Sequence, residues 1–256
     1  MALKFGVVLP GGTAREQLEQ AVLAEEAGWD GVFVWEAAYG LDAWSLLSAM
    51  AVGTSRVRLG TMLTPLPWRR PWKVASQVAT LDQLSGGRAV LGIGVGAVDA
   101  GLPVTGEPTD LRERAARMDE GIDLIRALWA GEPTFAGDFY SYRAGGNDLR
   151  PVQERVPIWV VGVWPRLKSM RRVLRCDGVI PGHEQSPGAT REMREWLTAQ
   201  GSSADILAEG ETSAAEGASQ VAPWAEAGCT WWMETRWQAE TKHEIRDRIA
   251  AGPPRS

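Results

Sequence analysis

Along the chain, short apolar runs alternate with longer stretches in which apolar residues return every three or four positions. The first kind of pattern suits strands buried on both faces, the second amphipathic helices. Strand patterns fall at 3–9 ("LKFGVVL"), 29–36 ("WDGVFVWE"), 57–63 ("VRLGTML") and 88–96 ("RAVLGIGVG"), then at 157–162, 177–181, 204–210 and 229–235. Helix patterns lie between and after them at 14–28, 42–54, 72–87, 112–131, 166–176, 190–201, 214–228 and 242–252. The helix over 72–87 ends in Gly86–Gly87, which suits a left-handed C-cap. Pro223 is expected to interrupt the helix over 214–228. Residues 132–156 are rich in Gly, Pro and Tyr and read as a loop excursion from a single domain spanning 1–256.

Eight strand–helix units in a chain of 256 residues are the size and rhythm of a (β/α)8 TIM barrel. A doubly wound sheet ranks second, because it usually needs fewer units. In a barrel the working groups sit where the strands end, so the candidates cluster near Pro10–Gly12, Trp35–Ala38, Thr61–Pro65, Gly94–Val98, Val161–Trp164, Pro181–Glu184, Glu209–Glu211 and Glu234–Trp237.

One of these ends is unusual. In "LGIGVG", Gly92, Gly94 and Gly96 alternate with Leu91, Ile93 and Val95, so one face of the strand is nearly bare backbone. Glycine weakens a strand interior, and three in step call for something pressed close against them. Gly92 lies deep enough to make room for bulky barrel neighbours. Gly94 and Gly96 lie at the mouth, where bare N–H groups suit a flat or phosphorylated ligand. The spacing is not the GxGxxG dinucleotide fingerprint. In "VVGVWPRLK", Gly162 is followed by Arg166 and Lys168 in the first turn of a helix, an arrangement open either to a phosphate or to plain solvation.

Composition narrows the field. Hydrophobic residues make up 45% and charged residues 23%, as in ordinary globular proteins. A net charge of −5 offers no basic field for nucleic acid. No run reaches the length of a membrane helix, and the opening apolar run stops at Pro10, too soon for a signal peptide. The two cysteines, Cys176 and Cys229, lie far apart and outside any metal-ligand spacing, so no metal site is expected and the chain reads as cytoplasmic. Thirteen tryptophans stand against three tyrosines and four phenylalanines, which suits either a large aromatic-lined pocket or a lineage bias in composition.

The stretch 58–96, with "ATLDQLSGGR" as its most specific piece, resembles the luciferase-like class of flavin- and deazaflavin-dependent oxidoreductases. "PIWVVGVWP…MRRVLRCDGVIP" (157–181) and "AEAGCTWWMET" (225–235) extend the resemblance over nearly the whole chain, nearest to the branch that uses coenzyme F420. The resemblance implies a single-domain barrel with the tricyclic cofactor at the C-terminal mouth, and a non-prolyl cis peptide between Thr61 and Met62 backing the ring. It places Gly94, Val95 and Gly96 beside the cofactor's side chain and phosphate, Val161, Gly162 and Val163 along the phosphate loop, and Glu36 near the reactive ring edge as the catalytic candidate. It also shows departures. Ala37 stands where the family often has His, and Ala97 where the sugar-phosphate-oxidising members have Glu, so that acid–base pair is absent and sugar-phosphate oxidation by that route is not expected.

Glu36 is open to three roles: orienting substrate, bonding the ring edge, or donating a proton if burial raises its pKa. A structural carboxylate bonded to nearby N–H groups is the alternative. Asp99 is a second candidate acid, with a turn or helix cap as its alternative. His183 follows the sixth strand and is placed to enter the mouth, whereas His243 reads as surface. Trp35 and Trp164 are expected to border the substrate pocket, and Met62 to fill space beside the cofactor. The expected activity is hydride transfer between reduced coenzyme F420 and a small organic substrate. An FMN-dependent, oxygen-using monooxygenase is the alternative, and a non-catalytic cofactor-binding homologue the third reading. The apolar helix "AWSLLSAMAV" suits either a homodimer seam or burial against its own barrel.

Overall fold

The computed structural model describes residues 2–37, 40–98, 106–143, 149–183, 185–236 and 242–255. Within them the chain runs β1 (Lys4–Leu9), α1 (Ala14–Glu26), β2 (Gly31–Val34), α2 (Ala43–Gly53), β3 (Arg58–Thr61), β4 (Thr64–Pro65), a 3₁₀ turn (Leu66–Trp68), α3 (Pro71–Ser85) and β5 (Ala89–Gly94). It continues through α4 (Leu111–Ala130), β6 (Thr134–Ala136), β7 (Ser141–Arg143), β8 (Ile158–Gly162), α5 (Leu167–Val173), β9 (Gly178–Pro181) and α6 (Pro187–Ala199). It ends with β10 (Asp205–Gly210), α7 (Gly217–Glu226), β11 (Trp231–Glu234) and α8 (Lys242–Ala250).

The strands β3, β2, β1, β11, β10, β9, β8 and β5 are neighbours in that order, all parallel, and β3 pairs with β5 to close the ring. This is the (β/α)8 barrel that the alternating pattern predicts. The doubly wound alternative, an open sheet, fails because the edge is closed. The excursion at 132–156 contains an antiparallel hairpin, β6–β7, too short and too exposed to show as a strand pattern. α7 runs through Pro223 without a break, so the interruption expected there does not occur. α3 ends as the paired glycines predict, with Gly86 in the left-handed conformation. Among the described residues, no helix is long and apolar enough to cross a membrane.

Two cores follow from strand alternation. The larger lies between barrel and helices, where Leu91 and Ile93 of β5 pack. The smaller fills the barrel itself with Val8, Phe33, Met62, Val90, Trp159, Ile180, Leu207, Trp231 and Met233. Phe33, Trp159 and Trp231 form a triangle with ring centroids 5.2–6.0 Å apart. Edge and tilted contacts of this kind add about 0.5–1.5 kcal/mol each beyond their burial. Such large rings fit because neighbouring positions are empty: a Cβ on Gly31 would lie 2.7 Å from the Phe33 ring. Gly92 faces the same interior beside Trp159 in register. A Cβ there would overlap the Thr61 carbonyl oxygen, so this glycine lets β3 and β5 approach where the barrel closes.

The "ATLDQLSGGR" stretch is held at the opposite end of the barrel from the mouth. Arg88 is buried, and its guanidinium donates to the carbonyls of Ser85, Val57, Ala51 and Thr54 and to the Thr54 hydroxyl, at 2.7–2.9 Å. Fully buried Asp82 accepts from the Ala89 N–H at 3.2 Å, from the Gln153 N–H at 2.8 Å and from the Gln153 amide at 2.7 Å. The most recognisable motif of the chain therefore ties α2, α3, β5 and the 149–157 segment together, which is a structural role.

Candidate active site

At the C-terminal ends of the strands, the inward side chains are apolar with one exception. The partly buried Leu63 and Val161 floor the mouth and pack on Val8, Met62 and Met233 of the barrel core beneath. Trp35, 45% exposed, stands on the rim, its indole N–H 3.4 Å from the Pro10 carbonyl. The exception is Glu209 on β10. It is in register with inward-facing Met233 and two positions after inward-facing Leu207, so its side chain enters the mouth. Solvent reaches it there, yet the surrounding protein raises its pKa by desolvation. No hydrogen bond or ion pair holds it among the described residues.

Glu36 lies behind the rim rather than in the mouth. Its side chain is only 8% exposed and forms an ion pair with Arg69. The Thr64 hydroxyl donates to Glu36 Oε2 at 2.7 Å and the Trp44 indole at 3.2 Å. Thr64 Oγ1 lies 3.1 Å from Thr61 Oγ1, whose hydroxyl donates to the Gly92 carbonyl at 2.9 Å. Both carboxylate oxygens of Glu36 are thus engaged within the protein. The cis peptide bond joins Met62 and Leu63, one residue beyond the Thr61–Met62 bond expected from the resemblance. The sheet explains the offset: Thr61 is still in register with Val34 and the Met62 N–H still donates to the Val34 carbonyl, at 2.8 Å, so the chain leaves the barrel only after Met62.

The glycines of the fourth barrel strand meet protein in the directions a Cβ would take. At Gly94 these are the side chains of Leu63 and Val161. Gly96, with φ +78°, lies against the Trp68 ring, which leaves no room for a side chain. Trp68 is fixed by a 2.9 Å bond to the Pro108 carbonyl and by the Arg114 guanidinium, 5.4 Å from its ring. Arg114 in turn donates to the carbonyls of Val95 and Gly96 at 3.0 and 2.7 Å, which pins the strand end. Glycine at 96 is therefore already explained by Trp68. What these residues leave for a ligand is backbone.

Gly162, Trp164, Gly182, His183, Gln185, Ala189 and Met193 line a cleft of about 250 Å³, counted with its open mouth. The N-terminal turn of α6, capped by Ser186, borders it. The carbonyl oxygen of the Gln185 side chain is buried there without a hydrogen-bond partner among the described residues. Trp164 packs on Trp196 at 5.9 Å, and its indole donates to Glu192 at 3.2 Å. The Val163 N–H donates to the Ser169 hydroxyl at 3.0 Å, which orders the loop after β8. Arg166 and Lys168 are exposed and stand away from this cleft's lining. Asp99, Trp237 and the His243 side chain lie outside the described residues. Among the described residues no group of His, Cys, Asp and Glu could hold a metal ion.

The sequence that builds this barrel matches a known family over residues 3–255, that of luciferase-like monooxygenases. The chain belongs to that family. Luciferase-like relatives of several kinds surround it. A coenzyme F420-dependent glucose-6-phosphate dehydrogenase from Beutenbergia cavernae is 42% identical over 161 residues, which cover 59% of this chain and 48% of that protein. The chain spans about half the length of the curated relatives it matches. A coenzyme F420-dependent secondary alcohol dehydrogenase, solved with an F420–acetone adduct, superposes with a TM-score of 0.82 at 20% identity, covering 100% of both chains. The oxygenating constituent of 3,6-diketocamphane monooxygenase from Pseudomonas putida, solved with FMN, gives a TM-score of 0.68 at 21% identity, over 86% of this chain and 71% of that one. At these identities the two solved structures establish the fold.

Proposed function

We propose that the chain is an oxidoreductase that uses coenzyme F420 to exchange a hydride with a small organic substrate. The observation that carries this reading is the mouth itself, where the partly buried Leu63 and Val161 lie over buried Met62 and Met233, beside the glycine-bearing strand end at Gly94–Gly96. A flat tricyclic group fits such a floor, because burying apolar surface stabilises its binding by about 25 cal/mol per Å². The sequence relatives named for coenzyme F420 favour a deazaflavin over FMN.

When bound, the cofactor supplies the hydride chemistry; the chain binds, orients and excludes water. In this reading Met62 and Val161 support the ring, and Val95 and Gly96 offer backbone to its side chain. The cleft beside Gly162 and Val163, bordered by the first turn of α6, suits a phosphate through helix N–H groups. Trp35 and Trp164 wall the substrate side. Glu36 acts as a positioning residue: through Arg69, Thr64 and Thr61 it fixes the 61–65 segment on which the ring would rest. Thr61 is the link of this chain that reaches β5, through the Gly92 carbonyl. The substrate is apolar or aromatic, as the rim of Trp35 and exposed Val98 suggests. The sugar phosphate of the dehydrogenase relatives is not carried over, since Ala97 places no carboxylate after the fourth strand.

The test is anaerobic turnover of reduced coenzyme F420 with a panel of ketones and enones, followed by appearance of the oxidised cofactor's absorbance. Saturable turnover without oxygen is the expected outcome. Turnover that requires FMN and oxygen would establish the monooxygenase reading that the diketocamphane neighbour favours. Binding without turnover on any of the panel would establish a non-catalytic binding protein.

A further inference from the structure

Glu209 is the carboxylate that the sequence pattern leaves unexplained. In β10, "DILAEG", Ile206 and Ala208 face the helices, and Leu207 and Glu209 face the barrel. A charge at an inward position is unusual in a barrel core, where branched apolar side chains dominate. Its surroundings do not neutralise it. On one side β9 carries no titratable side chain. On the other, Glu234 of β11 points to the opposite face of the sheet and pairs with Arg248 at 3.3 Å. Arg236, just beyond, lies 3.7 Å from Glu211 and 3.8 Å from Glu234. Across the barrel stand Val8, Met62 and Val161, and His183 lies on the cleft side after β9. A carboxyl set among such groups, with access to solvent from above, has its pKa raised by desolvation and can exchange its proton with water.

We infer that Glu209 is the catalytic acid–base of this site, exchanging a proton with the oxygen of a carbonyl or alcohol substrate. The inference rests on the reading of the mouth as the cofactor site. In the reducing direction the carbonyl carbon of the substrate receives a hydride from the reduced deazaflavin. The C=O π bond opens, and the oxygen takes the proton of the Glu209 carboxyl group. The products are an alcohol, the oxidised deazaflavin and a Glu209 carboxylate, which takes a proton back from solvent at the mouth. Oxidation of an alcohol runs the same steps in reverse, with Glu209 accepting the hydroxyl proton. Desolvation moves its pKa upward, the direction this role calls for. The substrate class that follows is a small neutral ketone or secondary alcohol.

The test is a carboxyl titration by ¹³C-edited NMR of the protein labelled at glutamate, with E209Q to assign the signal, in the free protein and with saturating coenzyme F420. The expected result is a Glu209 signal that titrates above the ordinary glutamate range and moves when the cofactor binds. E209Q should keep the wild-type affinity for coenzyme F420 while lowering kcat about 10²–10⁴-fold, with loss of the limb of the pH profile that the titration reports. A Glu209 that titrates as an ordinary glutamate, or is indifferent to bound cofactor, overturns the inference. So does an E209Q variant with the wild-type rate and pH profile. If coenzyme F420 does not bind at all, the reading of the mouth falls first and this inference with it, an outcome that the binding measurement alone identifies.

Discussion

Arg88 and Glu36 are both buried charges, and their partners give them different consequences. Arg88 satisfies itself on backbone carbonyls and a threonine hydroxyl, so Arg88→Ala leaves buried acceptors unpaired at the junction of α2 and β5. We expect a loss of about 2–4 kcal/mol in urea unfolding, with the cofactor affinity of the folded fraction unchanged. Glu36→Ala strands Arg69 and removes the acceptor of Thr64 and Trp44. Since Arg69 is partly exposed, about 2–3 kcal/mol is the expected cost, accompanied by weaker cofactor binding as the 61–65 segment loosens. Unchanged stability with turnover abolished would instead make Glu36 a catalytic group. The cysteines make a third case. Burial pushes the Cys176 thiol up to about 11 and the Cys229 thiol up to about 12. Both should resist alkylation at pH 8 until the chain unfolds, since the thiolate is the nucleophile. The raised folded values mean that stability is intact below pH 9 and is lost as pH rises through about 11–12. Urea titrations at pH 8 and pH 10.5 check the sign, and equal stability at both would contradict it.

At the scale of elements, Gly92 is the position where β3 and β5 meet closely enough to close the barrel. Gly92→Ala puts a methyl group into the Thr61 carbonyl, and backbone cannot yield as a flexible side chain can. A loss of about 3 kcal/mol or more is expected by thermal unfolding. Gly188→Ala, in the first turn of α6 and with open space around it, should gain about 0.5–1 kcal/mol. An equal response of the two variants would contradict this account of the closure. The eight barrel strands and eight helices were legible because each carries an apolar pattern long enough to show its period. The hairpin β6–β7 was not, since its three-residue strands are half exposed and make no core. The helix through Pro223 was not, because its packed face outweighs one missing hydrogen bond. Glu36 was legible as a strand-end carboxylate, but its engagement was not: Trp44, Thr64 and Arg69 converge on it only after folding. Glu209 was named among the strand ends, but its inward direction went unread although the signal was present, as it shares the parity of Leu207 in a strand whose faces alternate.

For the whole molecule, the closed ring and its two cores divide the work. The base of the barrel carries the aromatic triangle and the Arg88 and Asp82 ties, and the opposite end carries an apolar mouth with one unpaired carboxylate among the described residues. α2, the most apolar helix, buries Trp44, Leu46, Leu47 and Met50 against its own barrel, so its sequence gives no support to a homodimer seam. The separation predicts that variants at the base, such as Arg88→Ala, change stability without changing ligand choice, and variants of the exposed mouth residues Trp35 and Glu209 do the reverse. The function of the molecule turns on which ligand the mouth selects. Titration of the cofactor-free protein with coenzyme F420 and, separately, with FMN, followed by cofactor fluorescence, tests it most directly. Saturable binding of coenzyme F420 with no saturation by FMN is the result predicted here; tight FMN binding with no response to coenzyme F420 would contradict it.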